Sequence, residues 1–159
     1  MTTDLSPAAL FRRNFEHAYW ANLQAIKSLR QPQGSLEKPL KLLSHLVAAE
    51  AIWLSRLNGD DEAPITVWPE LTLDQCAELA DQNKRGYEKW FDEAGDGDFS
   101  KMLTYRTSTG IEFHTAVSDI LMHAVLHGSY HRGQIASLVK SGGGQPEITD
   151  FIQFVRHLG

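Results

Sequence analysis

A chain of 159 residues, 42% hydrophobic and 22% charged, has the size and make-up of one globular domain able to bury its own core. Its formal net charge of −5 and its scattered lysines and arginines argue against a nucleic-acid backbone as partner, and no run of roughly 20 apolar residues is present to span a membrane. Cys76 is the only cysteine, which excludes an internal disulfide and a cysteine-rich zinc site, so any metal must be held by nitrogen and oxygen.

The N-terminal stretch has no basic start followed by an apolar block and a small-residue cleavage site, so the expected location is the cytoplasm. Ser6-Pro7 reads as an N-cap followed by proline at the first helical position. Phe11, Phe15, Ala18, Asn22, Ile26 and Leu29 then recur at spacings of three and four, the mark of one buried helix face, until Gln31-Pro32-Gln33-Gly34 ends the helix. A second helix begins near Ser35-Leu36, with Pro39 tolerated in its first turn, and runs through Leu43, His45, Leu46, Ala49 and Trp53 to Asn58-Gly59. Asp60 to Glu70 reads as a loop. Thr72-Leu73-Asp74-Gln75 is a capping box opening a third helix to about Asp92.

After a break at Ala94–Asp98, Met102–Arg106 and Ile111–Thr115 flank the turn sequence Thr107-Ser108-Thr109-Gly110 and predict a short β-hairpin. Thr115 is then expected to cap the longest helix, Ala116 to Lys140, which Ser141 and three glycines close. A short helical pattern follows within Glu147–His157. Four long helices and one small hairpin predict an all-α protein, a single four-helix-bundle domain over residues 1–159.

His123, His127 and His131 recur every four residues on the last long helix, and His45 lies in an apolar part of the second. Residues four apart on a helix project from one face, so two imidazoles of one helix can converge on an ion that a facing helix completes. His123 and His131 are separated by roughly 12 Å along the axis, too far to share one ion whose nitrogen ligands each lie about 2.0–2.1 Å from it. Spacing therefore allows His123 with His127, or His127 with His131, and His127 belongs to both pairs. A lone HxxxH is more often a hydrogen-bonded core feature. Three histidines in register, with a fourth on another apolar helix, are costly to bury without a partner. A metal supplies one, since neutral imidazole is its commonest ligand.

The segment His123-Ala124-Val125-Leu126-His127-Gly128-Ser129-Tyr130-His131-Arg132-Gly133-Gln134-Ile135 resembles the signature of the DinB/YfiT-like superfamily of metal-dependent proteins. Leu42-Leu43-Ser44-His45-Leu46 with Glu50 and Trp53, Tyr19-Trp20-Ala21-Asn22, and Pro146 to Phe151 are similar to other parts of that family, in the same order. The resemblance implies a four-helix bundle whose three metal ligands fall on His45, His127 and His131. His123 and Asp119 then become candidates for the pocket wall or for orienting a ligand imidazole or a water.

For the remaining motif residues the expectations are structural. Arg132 is expected in a buried salt bridge, with Asp150 as partner, and Gly133 at a close helix approach. Gln134 has no required role at a metal. Tyr105, Tyr130 and Glu50 are assigned first to packing or surface and only second to proton supply. His17 is given no chemistry, and Trp20, Trp53, Trp68 and Trp90 are placed in core or rim.

Three protein ligands leave a coordination position open, as at catalytic sites. The expected activity is that of a metal-dependent enzyme; the resemblance implies thiol S-transfer ahead of hydrolysis, because the superfamily includes thiol transferases and thiol-dependent isomerases as well as members taken to be hydrolases. The expected cofactor is a divalent metal, zinc or nickel first, then cobalt or iron. The expected partner is a small-molecule substrate such as a low-molecular-weight thiol, with no nucleic acid and no membrane. The rival class is a non-catalytic metal-binding or sensing module, and for either class a homodimer is a further expectation.

Overall fold

A computed structural model describes residues 6–157, so the first five residues, on which the N-terminal reading partly rests, lie outside it. The elements run α1 (Pro7–Arg30), α2 (Glu37–Leu57), α3 (Leu73–Glu93), a 3-10 turn (Asp96–Ser100), β1 (Met102–Arg106), β2 (Glu112–Ala116), α4 (Val117–Ser141) and α5 (Phe151–His157). Four long helices and an antiparallel hairpin before α4 are thus present as the patterning predicts. No helix of the described residues is long and apolar enough to cross a membrane.

Local chemistry sets most boundaries. The Ser6 side chain accepts from the Ala9 amide at 3.2 Å, and Pro7 occupies the position where a missing N–H costs nothing. Thr72 and Gln75 close a reciprocal capping box at 2.9 and 3.1 Å. The start of α4 differs from expectation. β2 continues through Ala116, and the Thr115 hydroxyl pairs with the Tyr105 hydroxyl at 3.2 Å, so Ala116 stands at the cap without a side-chain bond. The tail is helical only from Phe151.

α1 and α2 each pack against both α3 and α4, so the order around the bundle is α1, α3, α2, α4, with α1 and α2 on one diagonal. The interior is layered along its length. One apolar cluster gathers Ile26, Leu29, Leu43, Leu46, Val47, Ile135 and Val139; the other gathers Phe15, Leu57, Tyr87, Phe91, Phe99, Ile120 and Leu121. Each fully buried aliphatic side chain contributes about 1.5–3 kcal/mol, which makes these two layers the main source of stability. Between them, one residue per helix breaks the pattern: Asn22, Glu50, Asn83 and Arg132 are all buried.

Candidate metal centre

The α2–α4 seam brings three imidazoles together. His45 comes from the middle of α2, and His127 and His131 come from one face of α4. His127 Nε2 lies 3.2 Å from His45 Nε2 and 3.1 Å from His131 Nε2, and all three donor atoms lie within 4.8 Å of one another. Nitrogens bound to one ion at about 2.0–2.1 Å, at angles between 90° and tetrahedral, are about 2.9–3.4 Å apart. Two of the three separations already fall in that range. His123 stays one turn back, its ring 5.4 Å from that of His127, so the pair on α4 is His127 with His131.

Two further contacts orient the rings. His45 Nδ1–H donates to the Val67 carbonyl at 2.7 Å, and His131 Nδ1–H donates to Gln134 Oε1 at 2.7 Å. With those protons committed, the Nε2 atoms of His45 and His131 present lone pairs, the arrangement by which outer partners fix the tautomer of metal-binding histidines. One proton on His127 Nε2 can point at only one of its two neighbours. A donor set of this kind, with no carboxylate or hydroxyl among it to balance the lone pairs, fits a divalent cation. Burial, followed by the neighbouring His131, His45 and His123, pushes His127 down to about 4. Burial also lowers His45, against the opposing effect of its Val67 bond. Both rings are therefore neutral at physiological pH, the form that coordinates a metal.

The profile of the DinB family matches residues 17–157. The chain belongs to the DinB family. It is also similar to the protein DinB of Bacillus subtilis (strain 168), at 24% identity over 163 aligned positions covering 86% of this chain and 88% of that protein.

Within this DinB chain the other motif residues have roles that differ from their sequence-based readings. Gln134 is the acceptor that orients His131, three residues on and therefore on the same helix face. Arg132 does not bridge to Asp150. Its Nη1 donates to Asn22 Oδ1 at 2.8 Å, and Asn22 Nδ2 donates to Glu50 Oε1 and Oε2 at 2.9 and 3.1 Å. Asn83 Nδ2 donates to the Val47 carbonyl at 2.9 Å and more weakly to Glu50 Oε2 at 3.4 Å, while the Tyr87 hydroxyl donates to the Glu50 carbonyl at 2.8 Å. Burial raises the Glu50 carboxyl, opposed by Asn22, Arg132 and Asn83. Glu50 is thus part of a polar layer joining all four helices, in keeping with the packing role expected of it first.

Gly133 is exposed and a Cβ there would meet nothing within 4 Å, so close packing does not account for it. Within this segment Gly128 is the constrained glycine: a Cβ would stand 2.9 Å from Arg132 Nη1. His17 is buried with its Nε2 2.7 Å from the Thr149 carbonyl.

Around the triad, Trp68 stacks on His45 with ring centroids 3.8 Å apart and stays half exposed, a lid over that ring rather than core. Trp53 meets His123 edge-on at 5.2 Å, and Tyr130 meets His131 at 5.3 Å. His123 is lowered by partial burial and by Arg56. Asp119 is exposed in the first turn of α4, and among the described residues no hydrogen bond or ion pair links it to the histidines. Val67 and Trp68 had no signal in the sequence, because a loop carbonyl and a stacked indole carry no motif. Gln134 had one in its i, i+3 offset from His131.

Proposed function

We propose that His45, His127 and His131 hold one divalent metal ion, zinc or nickel foremost, and that the chain is a metal-dependent enzyme whose substrate binds at the open position. The observation that carries this reading is the convergence of three Nε2 atoms with two of the three rings locked, through Nδ1, in the metal-ready tautomer. Bound by three neutral protein ligands, such an ion keeps a position at which a water or thiol is acidified. A purely structural site would be closed by a fourth protein ligand, and none of the described residues joins the three histidines.

The chain's own groups support catalysis over storage. His123, with its ring 5.4 Å from that of His127, and Tyr130, 5.3 Å from His131, are titratable and exposed, placed to accept or donate a proton beside the triad. Lowered below its usual value, His123 is neutral at pH 7 and suited to act as a base. Val67 and Gln134 hold the ligand rings in place, and Trp68 shields one face of His45 from water. The resemblance to relatives that act on thiols favours S-transfer, with metal-assisted hydrolysis second. The test is a screen of the metal-loaded protein with small thiols and electrophiles: turnover that disappears in His123→Gln while metal content is kept supports the reading. A fully loaded protein that turns over neither a thiol–electrophile pair nor a hydrolysable ester contradicts it.

A further inference from the structure

Arg56 lies on α2 eleven residues beyond His45, on the side facing α4 and the hairpin. Its guanidinium carbon sits 4.4 Å from the ring centre of Trp53 and 4.6 Å from that of Tyr105. The two rings themselves meet edge-on at 5.4 Å. On this face Arg106 pairs with Glu112 at 3.1 Å, and the Ser55 hydroxyl donates to Asp60 at 3.1 Å. For Arg56, no carboxylate or carbonyl among the described residues is within bonding distance of the guanidinium. A half-buried guanidinium has five donors and no acceptor, and here they face the cleft without a protein partner among the described residues. Burial accordingly lowers Arg56 from its ordinary value.

The group opens into a cleft of about 590 Å³ between the 60–67 loop and the hairpin, lined among others by Ile52, Ser55, Val67 and Tyr105. Val67 is shared with the metal centre, since its carbonyl is the acceptor for His45. A continuous row of rings also leads from the triad to the guanidinium: His127, His123, Trp53 and then Arg56. Along α2 the rise from His45 to Arg56 is about 16 Å, and the long side chain leans back toward the N-terminus, which leaves roughly 10–15 Å between the triad and the guanidinium.

We propose that Arg56 anchors a carboxylate of the substrate, and that the substrate class is an elongated molecule with its reacting group at the triad and a single carboxylate roughly 10–15 Å away. This rests on the function proposed above. A flat guanidinium held by two aromatic faces is pre-organised for a bidentate oxyanion. Asp60, Asp61, Glu62 and Glu112 on the same cleft repel a multiply charged phosphate more strongly than a singly charged carboxylate.

The test uses cobalt-loaded protein titrated with ω-mercaptocarboxylates of increasing chain length, their ω-mercaptoalcohol counterparts and an ω-mercaptoalkyl phosphate, with the cobalt absorption band as readout. The expected result is an affinity advantage of carboxylate over alcohol of at least about tenfold for eight- to eleven-carbon chains, absent for the three-carbon chain. Arg56→Gln should remove that advantage and Arg56→Lys restore part of it, with metal content and alcohol binding unchanged.

Equal binding of acid and alcohol at every length, or an advantage that survives Arg56→Gln, overturns the proposal. Tighter binding of the phosphate overturns the carboxylate assignment. If the protein takes up no cobalt, calorimetry of the metal-free protein with octanoate still decides the anchor: Arg56-dependent heat upholds it while the metal reading fails, and absence of such heat overturns both.

Discussion

Two polar clusters sit at the same level of this bundle and are built on opposite rules. In the central layer, donors meet acceptors: Arg132 to Asn22, Asn22 and Asn83 to Glu50, with one buried side-chain atom, Arg132 Nη2, lacking a protein partner among the described residues. On the α2–α4 seam, three Nε2 atoms meet with no opposing charge, and a single His127 proton can satisfy only one of the two acceptors beside it. Complementarity marks a cluster that holds helices together; a concentration of like lone pairs marks one that awaits a ligand. Both carry buried polar residues at helix centres, so burial alone does not distinguish a site from a scaffold.

The largest effect expected from breaking this contrast is in the central layer. Removing one member, as in Glu50→Ala or Arg132→Met, leaves its partner buried without compensation and should cost about 3–5 kcal/mol in urea unfolding. The double variant Glu50→Leu with Arg132→Met should cost less than the sum of the singles, because neither charge is then stranded. An additive result would show that the two residues are not energetically joined through Asn22.

Gln134→Ala touches the other cluster. It should lower metal affinity about 10–100-fold by freeing the His131 ring, while unfolding of the metal-free protein changes little. A loss of stability without a loss of affinity would move Gln134 from the site to the scaffold. Gly128→Ala should cost about 1–3 kcal/mol by crowding the Arg132 guanidinium, whereas Gly133→Ala, with open space at its Cβ, should be neutral or stabilising in a thermal melt.

The same seam also predicts an effect of pH. His127 titrates at about 4 in the fold, against about 6.5 in an unfolded chain. Between those values the unfolded chain binds more protons, so the metal-free protein should lose stability as pH falls from about 6.5 to about 4 and be level above that window. In His127→Gln the melting temperature should change less across the same range.

The fold was legible because its signals are local and periodic. Ser6-Pro7, the Thr72–Gln75 box and the stripe from Phe11 to Leu29 each act within one or two turns. His127 and His131 were legible for the same reason, since four residues on a helix fix a shared face. Spacing could not choose between His123 and His131; the family resemblance pointed to His131, and in the fold it is His131, with His127, that meets the facing His45. The partner of Arg132 was not legible: it lies 110 residues away on a helix whose rotation the sequence does not specify. The Arg56 clamp depends on the hairpin folding back over α2 to bring Tyr105 against Trp53, a tertiary event with no sequence mark.

The central claim is tested most directly by elemental analysis of the untagged protein beside His127→Ala and His123→Ala. The account predicts one divalent ion per chain in the wild type and in His123→Ala, and none in His127→Ala. Equal metal content in all three proteins, or its loss in His123→Ala alone, would contradict it.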